Sequence, residues 1–165
     1  MTRELPDAFQ DGYPDDVAHC YGCGRLNSHG HRLETRWDGE ETLTRFTPRP
    51  YHTAVPGYVY GGLIASLIDC HGTGTAAAVA ARADQAAGQV VGPGKLPRFV
   101  TASLQVDYLR PTPLGPELEV RGRAREATPR KVVVEARVLA NGELTARGVV
   151  VAVRMPAGMG GPGPR

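Results

Sequence analysis

The sequence predicts an α+β domain in which an antiparallel sheet of about six strands wraps around one long central helix. Three features carry this prediction. Residues 61–82 switch to Leu, Ile, Ala and Gly in a run long enough for a helix. Two segments before that run and four after it read as strands, most of them with apolar and polar residues alternating. Asp38-Gly39 and Asn141-Gly142 supply hairpin signals between neighbouring strands.

Residues 1–30 are rich in turn formers, contain "HCYGCGRLNSHGH", and read as an irregular arm. "HRLETRW" (31–37) and "ETLTRFTP" (41–48) form the first hairpin, and "RPYHTAVPGY" is a Pro/Gly loop. The helix spans about Gly61 to Arg82. Gly72 and Gly74 cost it about 1 kcal/mol each against alanine, which predicts close packing around it. Residues 84–97 read as a loop. In the strand 99–110, Val100, Ala102, Leu104, Val106 and Tyr108 share a face. In 117–125 the charges fall on odd positions, with Leu118, Val120 and Ala124 between them. The last strands are 131–139, where alternation is less clean, and 144–155, and the tail 156–165 is expected to be disordered. The domain is therefore 31–155. Its open sheet edges invite pairing into a homodimer or a dimer of dimers.

Composition narrows the function. Hydrophobic residues make up 41% and charged residues 22%, and the formal net charge is +2, too small to imply a nucleic-acid partner. The N-terminal residues have no apolar core of a secretory signal, and Asp69, His71 and several glycines interrupt the longest apolar run. Three cysteines read better as free thiols than as a disulfide framework. The expectation is a cytoplasmic protein with no membrane partner.

One carboxylate, Asp69, sits inside the apolar helix, where a buried and unpaired acid costs several kcal/mol or takes up a proton. The helix begins with Gly61 and Gly62. A helix N-terminus offers free N–H groups and partial positive charge, and glycine admits a ligand close to the backbone. Such a place suits an oxyanion formed from a carbonyl. Asp69 lies two turns further on, roughly 10 Å along the axis, too far to act on the same atom within one helix. An acid from a second subunit closes that gap.

"GYVYGGLIASLIDCHGTG" resembles the central-helix signature of hotdog-fold acyl-CoA thioesterases, of the phenylacetate-pathway and human mitochondrial branch. That signature reads roughly His-Gly-Gly, six residues, then Asp; here Tyr60-Gly61-Gly62 is followed by six residues and Asp69. "VTASLQVDYLRPTPLG" is similar to the strand after that helix, and the resemblance covers residues 31–154. It implies that the Gly61 amide, with Gly62 beside it, binds the thioester carbonyl. It implies that Asp69 attacks the thioester or activates water, and that Thr73, four residues on, orients the water. Tyr60 stands where the motif has histidine, and Ala54 where many relatives carry Asn or Gln, with His52 as a nearby polar substitute. The implied activity is hydrolysis of acyl-coenzyme A with no metal or redox cofactor, coenzyme A being part of the substrate. The alternatives are an enoyl-thioester hydratase or dehydratase, pairing Asp69 with His52 or His71, and a non-catalytic acyl-CoA binder.

Other motifs are weaker. Cys20-x-x-Cys23 has the spacing of half a zinc site, but His19, His29 and His31 are not spaced to complete it, so the arm is expected to be metal-free. His71, two residues from Asp69, reads as a packing histidine on another helix face. Ser66 lacks a Gly-x-Ser-x-Gly context and, with Tyr60 and His52, is a candidate substrate contact rather than a nucleophile. "GPGK" (92–95) lacks the remaining positions of a phosphate loop. Arg98, Arg130 and Lys131 are candidates for the coenzyme A phosphates.

Overall fold

The computed structural model describes residues 6–160. The strands are β1 (Thr35–Asp38), β2 (Glu41–Phe46), β3 (Phe99–Tyr108), β4 (Leu118–Ala127), β5 (Lys131–Ala140) and β6 (Glu143–Arg154). They form one antiparallel sheet in the order β1-β2-β4-β5-β6-β3. The single long helix α1 (Gly61–Ala86) packs against β3, β4, β5 and β6. This is the expected hotdog architecture. Leu118, Val120, Val134, Ala136, Val138, Ala146, Val150 and Ala152 are buried under the helix face. The opposite sheet face carries the charges, as in Arg123 and Arg137 on Glu41 at 2.7 and 2.8 Å.

The helix is apolar because the sheet encloses it. It is long and apolar enough by composition to cross a bilayer, yet most of it is buried in the protein. A Cβ on Gly72 would lie 2.5 Å from Val150 Cγ2, and one on Gly74 would lie 2.7 Å from Gln10 Nε2. The two glycines therefore let β6 and the arm approach the helix backbone, as their cost predicts.

Several boundaries differ from the sequence expectation. The helix continues through Ala86, where 84–97 reads as a loop. Arg154 Nη2 holds Asp84 at 3.1 Å, and a pair of backbone bonds, Gly88 N to Gln85 O and Gln89 N to Asp84 O, closes its end. Gly88 adopts φ +80°, the left-handed conformation that this cap requires. The first strand begins at Thr35 rather than residue 31, because the preceding residues pair with the arm: His31 N to Tyr21 O and Leu33 N to Gly22 O. Asn141-Gly142 forms its hairpin turn, both residues at positive φ. In β3 the register slips between Thr101 and Ser103, leaving Ala102 in a bulge that interrupts the expected alternation. In the tail, Pro156–Gly160 make a turn, closed by Met159 N on Pro156 O; residues 161–165 lie outside the described residues.

The arm is part of the core. Phe9, Tyr13, Ala18, Cys23 and Leu33 are buried with the helix residues, and Phe9 stacks edge-on against Trp37 at 5.6 Å.

Candidate active site

The helix start is an uncapped ring of amides. Tyr60, the N-cap, makes no side-chain cap, and the first turn contains no acid. The loop before it is pinned by Val59 N to Thr112 O and Tyr60 N to His52 O, both 2.9 Å. The amides of Gly61 and Gly62 are thus presented with the positive end of the helix dipole. Tyr108 Oη, at the end of β3, donates to the Gly61 carbonyl at 2.7 Å. A Cβ on Gly61 would meet the Tyr108 ring at 3.5 Å, ordinary contact, whereas one on Gly62 would fall 2.1 Å from Tyr60 Oη. Gly62 is therefore the sterically confined glycine. Gly61 and Tyr108 line a mostly apolar cleft of about 510 Å³, with Val55, Tyr58, Ile64 and Leu109.

Asp69 is half-buried rather than enclosed. Its Oδ1 accepts a hydrogen bond from Thr101 Oγ1 on β3, beside the bulge. This contact, from a residue 32 positions later, supplies the partner that the sequence left open. Thr73 does not fill that role in this chain: its hydroxyl is buried and donates to Cys70 O at 3.2 Å. One strand thus holds both candidate groups by hydroxyls, Tyr108 on Gly61 and Thr101 on Asp69. Thr101 through Gln105 are exposed, and β3 ends the sheet.

The remaining candidates are dispersed. His71 is fully buried between Thr42 and Thr44, with its ring nitrogens 3.0 and 2.8 Å from their hydroxyls, and burial pushes its pKa down to about 3. It is a packing histidine, as expected. His52 Nδ1 accepts from Arg49 N at 3.0 Å, and its ring packs with Phe46, Tyr51 and His31. Its contribution to the helix start is its carbonyl. Ser66 faces the arm, its Oγ 3.7 Å from a Cβ built on Gly22. Arg98 lies under the arm with its guanidinium over the Tyr13 ring at 4.7 Å. Lys131 pairs with Glu126 at 2.9 Å, and Arg130 is exposed on the β4–β5 turn. The cleft at Gly61 has a different arginine on its lining, Arg110.

A second cluster lies on the other side of Asp69. The sulfurs of Cys20, Cys23 and Cys70 all lie within 4.8 Å of one another. Cys20, the least buried, is held well below the usual thiol range by hydrogen bonds from Cys23 and Cys70. Cys23 is correspondingly pushed up to about 12. Spacing along the chain offers only histidines as partners of Cys20 and Cys23. The third thiol is on the helix, and the signal that would have found it is Cys70 itself, the one cysteine outside the arm.

The comparisons with known proteins bear on this geometry. The Thioesterase superfamily model matches residues 56–147, which contain α1, β3, β4 and β5. A thioesterase superfamily protein from Shewanella loihica PV-4 is similar over 79% of this chain and 96% of its own, at 53% identity and TM-score 0.64. A variant of the phenylacetic acid degradation protein PaaI from Thermus thermophilus shares the fold at 21% identity and TM-score 0.53. That match covers 74% of this chain and 93% of its own. No curated protein matches the chain. Given a family match over more than half of the chain, on the segment that carries Gly61, Asp69 and Thr101, the chain belongs to the thioesterase superfamily.

Proposed function

We propose that the protein hydrolyses acyl-coenzyme A thioesters at sites shared by two copies of the chain. The observation that carries this reading is the disposition of β3. Its ends hold the two half-sites, Tyr108 on Gly61 and Thr101 on Asp69, and its free edge is exposed. An antiparallel β3–β3 pair centred on Gln105 sets Leu104 opposite Val106, and with the bulge at Ala102 taking up one residue it brings position 101 of one copy beside position 108 of the other. Asp69 of one subunit then faces the Gly61 amide of its partner, and two equivalent sites form.

In that site the apolar cleft at Gly61 takes the acyl chain and Arg110 meets the coenzyme A moiety, with Arg130 and Lys131 as further phosphate contacts. The amides of Gly61 and Gly62 receive the carbonyl oxygen as it gains negative charge. Thr101 occupies one oxygen of Asp69, leaving the other to take a proton from water as the water oxygen bonds to the carbonyl carbon. The C–S bond then breaks, and the coenzyme A thiolate leaves and is protonated. No metal or redox group enters these steps. Burial of His71 between two threonines takes away one of the two histidines that the hydratase reading could pair with the acid, and the other, His52, has its Nδ1 occupied by Arg49 N.

A panel of acyl-coenzyme A thioesters with detection of the released thiol tests the reading. Asp69→Asn is expected to remove nearly all turnover while the protein stays folded; unchanged rate constants would overturn the assignment. Mixing Asp69→Ala chains with Gly61→Val chains is expected to restore one working site per dimer. No recovery after verified subunit exchange would refute a shared site while leaving hydrolysis itself standing.

A further inference from the structure

The three-sulfur cluster is independent of the thioester reading. Cys20 and Cys23 come from the arm, and Cys70 from the central helix, directly after Asp69. The Cys20 and Cys70 sulfurs are 3.9 Å apart, and neither is in a disulfide. Four sulfurs set tetrahedrally at about 2.3 Å from a zinc ion are about 3.8 Å apart, so the spacing already fits a metal edge.

The backbone around the sulfurs is built for this. Gly24 N donates to Cys20 O at 2.7 Å, closing a tight turn over the Cys-x-x-Cys segment. The amides of Gly22 and Cys23 are turned to the Cys20 sulfur, so that sulfur is the hub of the turn. Side chains are excluded where the turn meets the helix. A Cβ on Gly22 would lie 2.2 Å from Cys70 Sγ, and one on Gly24 would lie 2.4 Å from Cys20 N. A second observation is an orphaned polar group: Tyr13 Oη is buried with no hydrogen-bond partner, and it lies within electrostatic reach of all three sulfurs. Arg98 spans the same space, over the Tyr13 ring and within reach of the same sulfurs.

We propose that Cys20, Cys23 and Cys70 bind one zinc ion that clamps the arm to the central helix. Three thiolates, a divalent ion and the Arg98 guanidinium sum to no net charge, which removes the cost of enclosing them. The fourth position goes to water from the side where Cys20 reaches the surface, and the Tyr13 hydroxyl is the polar group present to bond it. Among the described residues the cluster includes no histidine, and His31 packs on Tyr21, Phe46 and His52 instead. The clamp is structural, since the hydrolytic steps do not use it.

The test uses the full chain, reduced, stripped with chelator and given one equivalent of Zn2+, with Co2+ as a spectroscopic probe. Expected are about one zinc retained per chain after desalting, protection of the thiols from a thiol reagent, and a thiolate-to-cobalt charge-transfer band. Cys20→Ser, at the least buried of the three positions, is expected to lose the band and the retained zinc. Cys23→Ser serves as the second variant should the first not fold. Failure of the reduced wild-type chain to retain zinc, with three reactive thiols, would overturn the proposal. So would a Cys20–Cys70 disulfide found in native protein that blocks loading, or equal zinc retention by a folded Cys20→Ser chain.

Discussion

Thr101 Oγ1 on the edge strand donates to Asp69 Oδ1 on the central helix, and this bond fixes the direction of the only carboxylate inside the apolar run. Thr101 is a positioning residue for the acid. Thr101→Val is expected to lower kcat by about ten- to a hundredfold, the effect of losing a hydrogen bond worth about 1–3 kcal/mol. Thr73→Ala, whose hydroxyl bonds only the helix backbone, is expected to leave kcat within about twofold. Steady-state kinetics on both variants separates the two, and restoration by Thr101→Ser distinguishes positioning from packing.

Tyr108 holds the Gly61 carbonyl, and with it the angle of the first-turn amides. Tyr108→Phe is expected to lower kcat/KM about tenfold with little change in thermal midpoint. Gly61→Ala is expected to fold normally, since its Cβ meets the ring at 3.5 Å. Circular dichroism melting beside the kinetics checks both.

Pairing along the free β3 edge makes Leu104, 38% exposed in the single chain, an interface residue. Leu104→Asp is expected to shift light-scattering mass to that of the monomer and abolish turnover. An unchanged mass would place the association elsewhere.

Gly72 packs its backbone on Val150. Gly72→Ala is expected to destabilise the fold by about 1–3 kcal/mol through overpacking, against the gain in helix propensity. Adding Val150→Ala is expected to return part of the loss, so urea midpoints of the two single variants and the double variant should be non-additive.

His71 stays neutral in the fold to about pH 3, but the unfolded chain protonates it below its ordinary 6.5. The unfolded state therefore binds more protons in that window, and stability rises with pH across it. His31 and His52, also pushed down by burial, act in the same direction. Unfolding free energy is expected to fall by at least about 2 kcal/mol from pH 8 to pH 5. In a folded His71→Gln variant the slope should flatten; an unchanged slope would assign the effect to other groups.

The sheet and helix were legible because their signals are local. Alternation defines β4, and Asn141-Gly142 takes the two positive φ values that its turn demands. The last helical turn was not legible, because Asp84 is held by Arg154 from the far end of the chain. The site divides the same way. Gly61, Gly62 and Asp69 were marked by spacing, while a threonine in β3 carries no mark until the fold sets it against the acid. The resemblance implied Thr73, yet a buried threonine in a helix satisfies its hydroxyl most readily on the carbonyl a turn before. Cys70 likewise joins Cys20 only through the tertiary path of the arm.

The sheet order has a kinetic corollary. β3 is third among the strands along the chain, yet the strand it pairs with is β6, which ends at Arg154. While the ribosome is still producing residues 109–142, β3 has no partner to lie against, and Thr101 has nothing to hold it over Asp69. The carboxylate is thus aligned only once β6 has been made, by a long-range pairing of the kind that slows folding. A nascent chain arrested before β6 would display an apolar helix with no completed wall. Such fragments should recruit chaperones rather than self-associate productively.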